Sequence, residues 1–508
     1  MLRRQDDAHC ARPARPRSGG GLLPALSRLG LLLSACCLPA AASAETLADA
    51  VALAYQSNPA IQSQRAQLRA LNETYVQARA GFGPRVTADV NLTEPLFTGG
   101  RGTAALQAAE ADVRAGRQRL RQQEIDLLQR VINAYVAVRR DQQIIEVARS
   151  TVSVLQNQLE ETQAKTEVRE NTRTDLGQAQ GRLAAAQAQL ANTEAQLALS
   201  RAQYLNAVGQ NPADLAPEPD LPGVPASIEQ AFDQAEQGNP TLLAAKFAEQ
   251  SSRARLSAAK AQNLPSVNLR LAAGRQPSTI YGPVPYNDTL SASAVFSQPL
   301  FTAGLNSSQI RRAAELNTAD RLTIDSTRRN VVQGLSQQWS QLAAARRALV
   351  ADEAYVAAAE TAFYGMRQEE RLGLRTTIEL LNTQQELNAA QIGLLRDRYN
   401  EYVARAGVLN VMGALTVELL APGTPSYDPL PDFDRVKNRG ALPTEYVVRA
   451  LDGLVTPAMG APMPASETAV PDRQADLPPA PAPAAQQPPI RPATQLMDET
   501  REGPRAPR

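Results

Sequence analysis

Histidine is almost absent from this 508-residue chain, cysteine nearly so, and aromatic residues make up only 4%. The one histidine is His9, and the three cysteines are Cys10, Cys36 and Cys37, so all four fall in the first 37 residues. Beyond them no Cys/His zinc set, no Ser-His-Asp or Cys-His catalytic group and no disulfide framework can be built. With 52 basic and 51 acidic residues the formal net charge is +1, so bulk charge argues for no nucleic-acid or other polyanionic partner. No Gly-rich phosphate loop stands at a strand-to-helix turn. Carboxylate chemistry is the enzymatic route left open, and no paired acids stand in a pocket-like context. The expectation is a protein that is not an enzyme and takes no cofactor and no metal.

Long apolar runs are missing too. After residue 45 no stretch of 18 apolar residues occurs, so no transmembrane helix is expected; a membrane role has to come from β-strands. The N-terminus reads as an export signal over 1–44. Arg3, Arg4, Arg12, Arg15, Arg17 and Arg28 form a basic region, and Leu29 to Leu38 is an apolar stretch too short to span a bilayer. Ala42-Ser43-Ala44 offers a small-x-small cleavage site that leaves Glu45 first. Leu33-Ser34-Ala35-Cys36 competes with it as a lipobox that would give a lipidated Cys36.

What the chain has in abundance is repetition. Asn58-Pro59 recurs as Asn239-Pro240, and Pro84 as Pro265, both at an offset of 181. Pro95-Leu96-Phe97-Thr98-Gly99 recurs as Pro299-Leu300-Phe301-Thr302 with Gly304 closing the motif, now at an offset of 204. Leu176 then matches Leu380, and Gly209 matches Gly413, at the same 204. A period this long means two copies of one large unit rather than a solenoid. The copies are expected over 45–225 and 226–420. Each runs from helices through a β region (84–95 and 265–299) into a coiled coil (101–209 and 303–413).

The long segments are rich in Ala, Gln, Leu, Arg and Glu and carry heptads. Val131, Val138, Ile145, Val152 and Leu159 are seven apart; so are Leu335, Leu342, Leu349, Val356 and Phe363 in the second copy, and Leu176, Leu183, Leu190, Leu197 and Tyr204 on a returning helix. That spacing predicts coiled-coil packing, with small residues such as Ala179, Ala186, Thr193 and Ser200 allowing close approach. From near Arg101 to Glu167 one continuous helix would reach about 100 Å. Between the helices Val267, Leu269, Leu271 and Ala273 alternate with polar residues, as do Leu290, Ala292, Ala294 and Phe296. This is a hairpin of membrane-barrel size with one apolar and one polar face, though strand length alone does not separate it from a soluble amphipathic hairpin.

These features together resemble the TolC-like family of outer-membrane efflux and secretion proteins over roughly 45–454. The carriers are Leu47-Ala48-Asp49-Ala50 with Asn58-Pro59, the repeated Pro-Leu-Phe-Thr markers, and two helix-turn tips, 168–180 and 372–384. Tip two and Tyr427-Asp428-Pro429 look most like the type I secretion branch. The resemblance implies a mainly α fold with a membrane β-barrel. Duplicated antiparallel coiled coils would form a trimeric α-tunnel in the periplasm, and short hairpins a shared barrel in outer-membrane lipid. It implies a homotrimer that passively conducts cargo and docks a periplasmic adaptor and an inner-membrane transporter. By motif position Arg375 should reach Thr174 or Asp175 on an adjacent helix. Glu379 and Asn382 occupy the two places that usually bear acidic rings, so cation binding at this entrance should be weaker than in a two-ring pore. Val168, Leu372, Gly373 and Leu374 should contact the adaptor; Arg169 and Glu170 depart from the small and apolar residues expected beside Val168.

One feature departs from the pattern. The offset jumps from 181 to 204 inside the β region, so the first copy is 23 residues shorter there. Val86, Ala88, Val90 and Leu92 alternate with polar residues as one strand, not two. A single strand cannot cross and return. Three outcomes stand open: a tight turn below the membrane leaving six crossings, abnormal pairing, or a damaged copy. Pro212–Pro225 and Ala421–Thr444 should form an equatorial belt, the latter within an equatorial and C-terminal segment over 421–456, and 457–508, rich in Pro, Ala and Gln, reads as disordered. Two rivals compete with the duct: a periplasmic coiled-coil adaptor, which normally carries one hairpin between lipoyl-like domains, and a secreted hydrolase using carboxylates.

Overall fold

The computed structural model describes residues 44–87, 91–168, 172–277 and 286–453. The export signal up to 43, Cys36, Arg169, Glu170 and the tail over 457–508 lie outside the described residues. The first copy comprises α1 (Leu47–Ser57), α2 (Pro59–Arg79), β1 (Arg85–Thr87), β2 (Asn91–Phe97), α3 (Arg101–Glu167) and α4 (Arg173–Val208). The second comprises α5 (Ile228–Gly238), α6 (Pro240–Lys260), β3 (Ser266–Pro277), β4 (Tyr286–Ser297), α7 (Leu305–Arg371) and α8 (Thr377–Met412). Three short helices follow: α9 (Val417–Leu420), α10 (Leu430–Lys437) and α11 (Thr444–Gly453). Corresponding helices have equal lengths in the two copies, 11, 21, 67 and 36 residues.

Matching lengths have matching local causes. Thr46 caps α1 and Ser227 caps α5; Thr172 and Thr376 cap α4 and α8, each through a capping box with the acid three residues on, Asp175 and Glu379. The Asn-Pro pairs end one helix and start the next, with proline at the first helical position. Their asparagine side chains donate to the last turns of the returning helices: Asn58 Nδ2 to Ala207 O, and Asn239 Nδ2 to Val411 O at 2.8 Å.

The chain forms two compact units. One contains residues 44–65, 120–240 and 329–427. Its core gathers Leu47, Val51 and Tyr55 of α1, Val131, Tyr135 and Val138 of α3, Leu197 and Tyr204 of α4, and Tyr402, Ala406 and Leu409 of α8. Glu45 lies at the centre of a buried polar network. Its backbone pairs with the segment after α4, donating to Asp214 O and accepting from Ala216 N. Its carboxylate accepts from Tyr204 Oη, Gln210 Nε2 and the Ala213 amide. Tyr135 Oη donates to the carbonyls of Glu45 and Ala216, and burial pushes its pKa up to about 12. Beside this network Arg65 lies between the rings of Tyr55 and Tyr427, 4.6 and 4.7 Å from their centroids.

Gly413 turns the chain out of α8 with φ +72°, and a Cβ there would come 2.4 Å from Gly238 O. Left-handed backbone disfavours a side chain, and the clashing atom is backbone, which cannot swing away. Gly413→Ala is therefore expected to destabilise this unit by about 3 kcal/mol or more, read as a lowered urea midpoint in detergent. Gly209, its counterpart after α4, has φ +95° but meets only the flexible Ser57 hydroxyl at 3.6 Å, so Gly209→Ala should cost less.

The other unit contains residues 66–119, 241–328 and 428–453. It holds a four-stranded antiparallel sheet in the order β1-β2-β3-β4. This corrects the single strand expected over Val86–Leu92. β1 and β2 form a tight hairpin, with Arg85 opposite Thr93, Val86 opposite Leu92 and Thr87 opposite Asn91. Alternation concealed the turn because an odd number of residues, 88–90, separates the strands. Val86 and Leu92 then share a face whether the chain continues or reverses. The sheet is stepped: Asn91 pairs with Ala272, and β3 and β4 continue for five further pairs, from Ala273–Leu290 to Pro277–Tyr286.

At the foot of the sheet the repeated marker turns strand into helix. Gly99 and Gly100 have φ +68° and +83°; in the second copy Ala303 and Gly304 have +49° and +84°. Thr98 is buried and clasped by Asp452 of α11, which accepts from the Thr98 amide at 2.7 Å and from its hydroxyl. Arg79 donates to the carbonyls of Lys437 and Arg439 and lies 3.6 Å from Glu445. Val448 packs with Phe82 and Leu106. In the second copy, Leu300 and Phe301 are 91% and 89% exposed.

Candidate gate and docking tips

Both coiled-coil tips belong to the first unit. Tip one runs from the end of α3 through Val168 into α4; tip two runs from the end of α7 through Leu372, Gly373 and Leu374 into α8. Gly373 adopts φ +74°, and the amides of Leu372, Gly373 and Leu374 return to carbonyls of the last turn of α7. This closure leaves the leucine side chains outside: Leu372 and Leu374 are 74% and 70% exposed, as is Val168 at 67%.

Tip two holds a described cluster of charges. Arg375 Nε donates to Glu369 at 2.8 Å, and its Nη1 lies 3.7 Å from Glu379. The hydrogen bond to Glu369, with the charges of Glu369 and Glu379, raises the Arg375 pKa. Glu379 accepts from the Thr376 amide at 3.0 Å and lies below the ordinary glutamate value of 4.5, chiefly because of that bond. A depressed acid stabilises the fold above its unfolded pKa and loses that contribution as pH falls through the folded one. The cap of tip two is therefore expected to persist at pH 4.5 and to fray only in stronger acid, measurable by amide exchange of Thr376 and Glu379.

Two further links join the tips. Arg182 of α4 donates to Asn382 Oδ1 at 2.9 Å and to Gln385 Oε1 on α8. Lys165, near the end of α3, bonds at 3.1 Å to Glu370, which is nearly buried. Burial works against the Lys165 ammonium, but bonds to Glu370 and Glu161 outweigh it and raise the pKa, so the link survives until strongly alkaline pH. Between these links lies a small cavity lined by Leu155, Gln158, Phe363, Glu370, Leu380 and Gln384, among others.

A sequence profile for the family described as outer membrane efflux protein matches residues 87–210 and 231–414. The outer membrane efflux protein BepC of Brucella suis is 30% identical over 419 residues, covering 78% of this chain and 92% of the relative. This chain belongs to the outer membrane efflux protein family. The alkaline protease secretion protein AprF of Pseudomonas aeruginosa is 28% identical over 335 residues, covering 64% of this chain and 69% of that one. The crystal structure of the Neisseria gonorrhoeae outer-membrane channel MtrE superposes with a TM-score of 0.65 at 17% identity, covering 75% of this chain and 91% of MtrE. The fold is that of TolC-type channels, and the chain is an outer-membrane protein of that class. Its relatives are channels, not enzymes.

In this efflux-family protein the residues singled out by motif position divide into groups. Arg375 and Glu379 come together within tip two. Asp175 closes the capping box of α4 with Thr172, and Thr174 is exposed beside it. The described partners of Arg375 are Glu369 and Glu379 on its own tip, and no described bond joins it to Thr174 or Asp175. Asn382 is engaged by Arg182. Sequence reasoning missed Arg182 and Lys165, because a basic residue outside a heptad seam looks like ordinary solvated surface. No group of three His, Cys, Asp or Glu among the described residues is placed to hold a metal ion. No helix among them is long and apolar enough to cross a membrane.

Proposed function

We propose that this chain is one protomer of a trimeric exit duct, serving a tripartite efflux or type I secretion machine with the secretion branch favoured. The observation that carries the reading is the sheet. Val86, Leu92, Phe97, Val267, Leu269, Leu271, Ala292, Ala294 and Phe296 fall on one face, while Thr93, Asn268, Arg270, Ser291 and Ser293 fall on the other. Four strands cannot close alone, and lipid tolerates no open edge of unpaired backbone. Three copies would supply twelve strands, with β4 of one chain beside β1 of the next, and would give the exposed Leu300 and Phe301 something to pack on. The export signal over 1–44 belongs to the same reading, as does the part in protease secretion that AprF is named for. In it Thr174, Asp175, Arg375, Glu379 and Asn382 form the periplasmic gate. Val168, Leu372, Gly373 and Leu374 meet the adaptor, which bridges to the inner-membrane transporter.

Cell fractionation with unheated gels tests this directly. A duct appears in the outer membrane as a trimer that heat dissociates, and a photo-crosslinker at Leu372 or Leu374 captures a periplasmic coiled-coil protein. A periplasmic monomer would instead favour the adaptor reading.

A further inference from the structure

Arg85 and Arg270 occupy one row of the sheet. Arg85 pairs with Thr93, Thr93 with Arg270, and Arg270 with Ser293. Cross-strand partners share a face, so both guanidinium groups belong to the polar side, two strands and about 10 Å apart. Both are exposed. Around them on that face are Thr87, Asn91, Thr93, Ser291 and Ser293, all able to hydrogen-bond. Among the described residues no carboxylate of the sheet shares the face. Glu94 sits opposite Leu269 on the apolar side, and Asp288 pairs with Arg275, also on that side. Among the described residues of the sheet this is a local pair of like charges with no acid on the same face.

We propose that in the assembled trimer this row forms a ring of six arginines, two from each chain, that binds multivalent oxyanions inside the barrel at the level of the short first hairpin. The proposal rests on the duct reading, which turns the polar face to the lumen. Arginine is well suited to oxyanions, since its planar fork matches phosphate, sulfate and carboxylate oxygens and it stays charged at any physiological pH. Charged rings of one sign are how pores select ions. The shortened first hairpin gives the ring its access. Arg85 lies only two residues below the turn over 88–90, so the low panel of the wall ends near the ring while β3 and β4 continue beyond it.

The test uses the full-length trimer in a planar bilayer with tripolyphosphate added to one side at a time. Outer addition is expected to block the current in a voltage-dependent way. The double variant Arg85→Ser, Arg270→Ser should need at least about tenfold more tripolyphosphate for the same block while keeping its conductance steps. Arg85→Lys with Arg270→Lys keeps the charge without the fork and should fall between the two; it also serves if the serine variant does not assemble. Equal block of wild type and variants, block from the periplasmic side only, or no block at all would overturn the ring while leaving the duct intact. Correctly folded trimers that never conduct would instead remove the duct reading and the ring with it.

Discussion

A channel carrying both Arg182→Ala and Lys165→Ala is expected to open far more readily than wild type. These side chains tie α4 to α8 and α3 to α7 at the tips, through Asn382, Gln385 and Glu370. An entrance that widens by moving one helical hairpin against the other has to break both links. Partly exposed pairs of this kind hold about 0.5–1 kcal/mol each, and more when one partner is buried as Glu370 is. Losing about 1–2 kcal/mol in total shifts the closed-to-open equilibrium about 5- to 30-fold. Single-channel recording reads this as a rise in mean current. Arg375→Ala should act in the same direction, since it frees Glu369 and loosens the turn about Gly373. Unchanged current in the double variant would mean that these links do not hold the gate.

Glu45→Ala is expected to destabilise the unit that holds α1 and the end of α4. It removes the carboxylate that accepts from Tyr204, Gln210 and the Ala213 amide; the Tyr204 hydroxyl is left in a site closed to water, whereas Gln210 and Ala213 are exposed and can turn to solvent. Burial and the adjoining carboxylate raise the Tyr204 pKa, so that phenol remains a donor without an acceptor. Orphaning a buried neutral donor costs about 1–3 kcal/mol, felt where α1, α4 and the segment after it meet. Glu45→Gln keeps the shape and one acceptor oxygen and should recover part of the loss. The check is the urea or thermal midpoint of the detergent-solubilised protein; a change below about 1 kcal/mol for Glu45→Ala would refute the assigned role.

Much of this architecture is legible in the residues because the chain states it twice. The heptads on α3, α4 and α7 mark helices, and Asn58 and Asn239 mark the same corner at a constant offset. What those asparagines do is not legible: their side chains pin the ends of α4 and α8, a tertiary contact that no local pattern encodes. The first hairpin escaped detection for a simpler reason, since an odd turn preserves alternation through the reversal. Its first strand is only three residues long and pairs with β2 as a tight hairpin. Arg182 and Lys165 were hidden among other exposed charges. Glu45 precedes the first helix, where neither periodicity nor motif singles it out, and only the folded chain surrounds it with donors. The left-handed Ala303 was equally invisible, because its counterpart in the first copy is Gly99, for which positive φ costs little.

The central claim is that a chain with so short a first hairpin still closes a conducting barrel. Single-channel recording of the purified mature protein in a planar bilayer tests it most directly. A closed barrel predicts small, discrete current steps that favour cations from the periplasmic side, because the proposed gate sets Glu379 at that entrance. A protein that purifies as a stable helical trimer yet passes no current would contradict it, and would mean that the step between β2 and β3 leaves the wall unsealed.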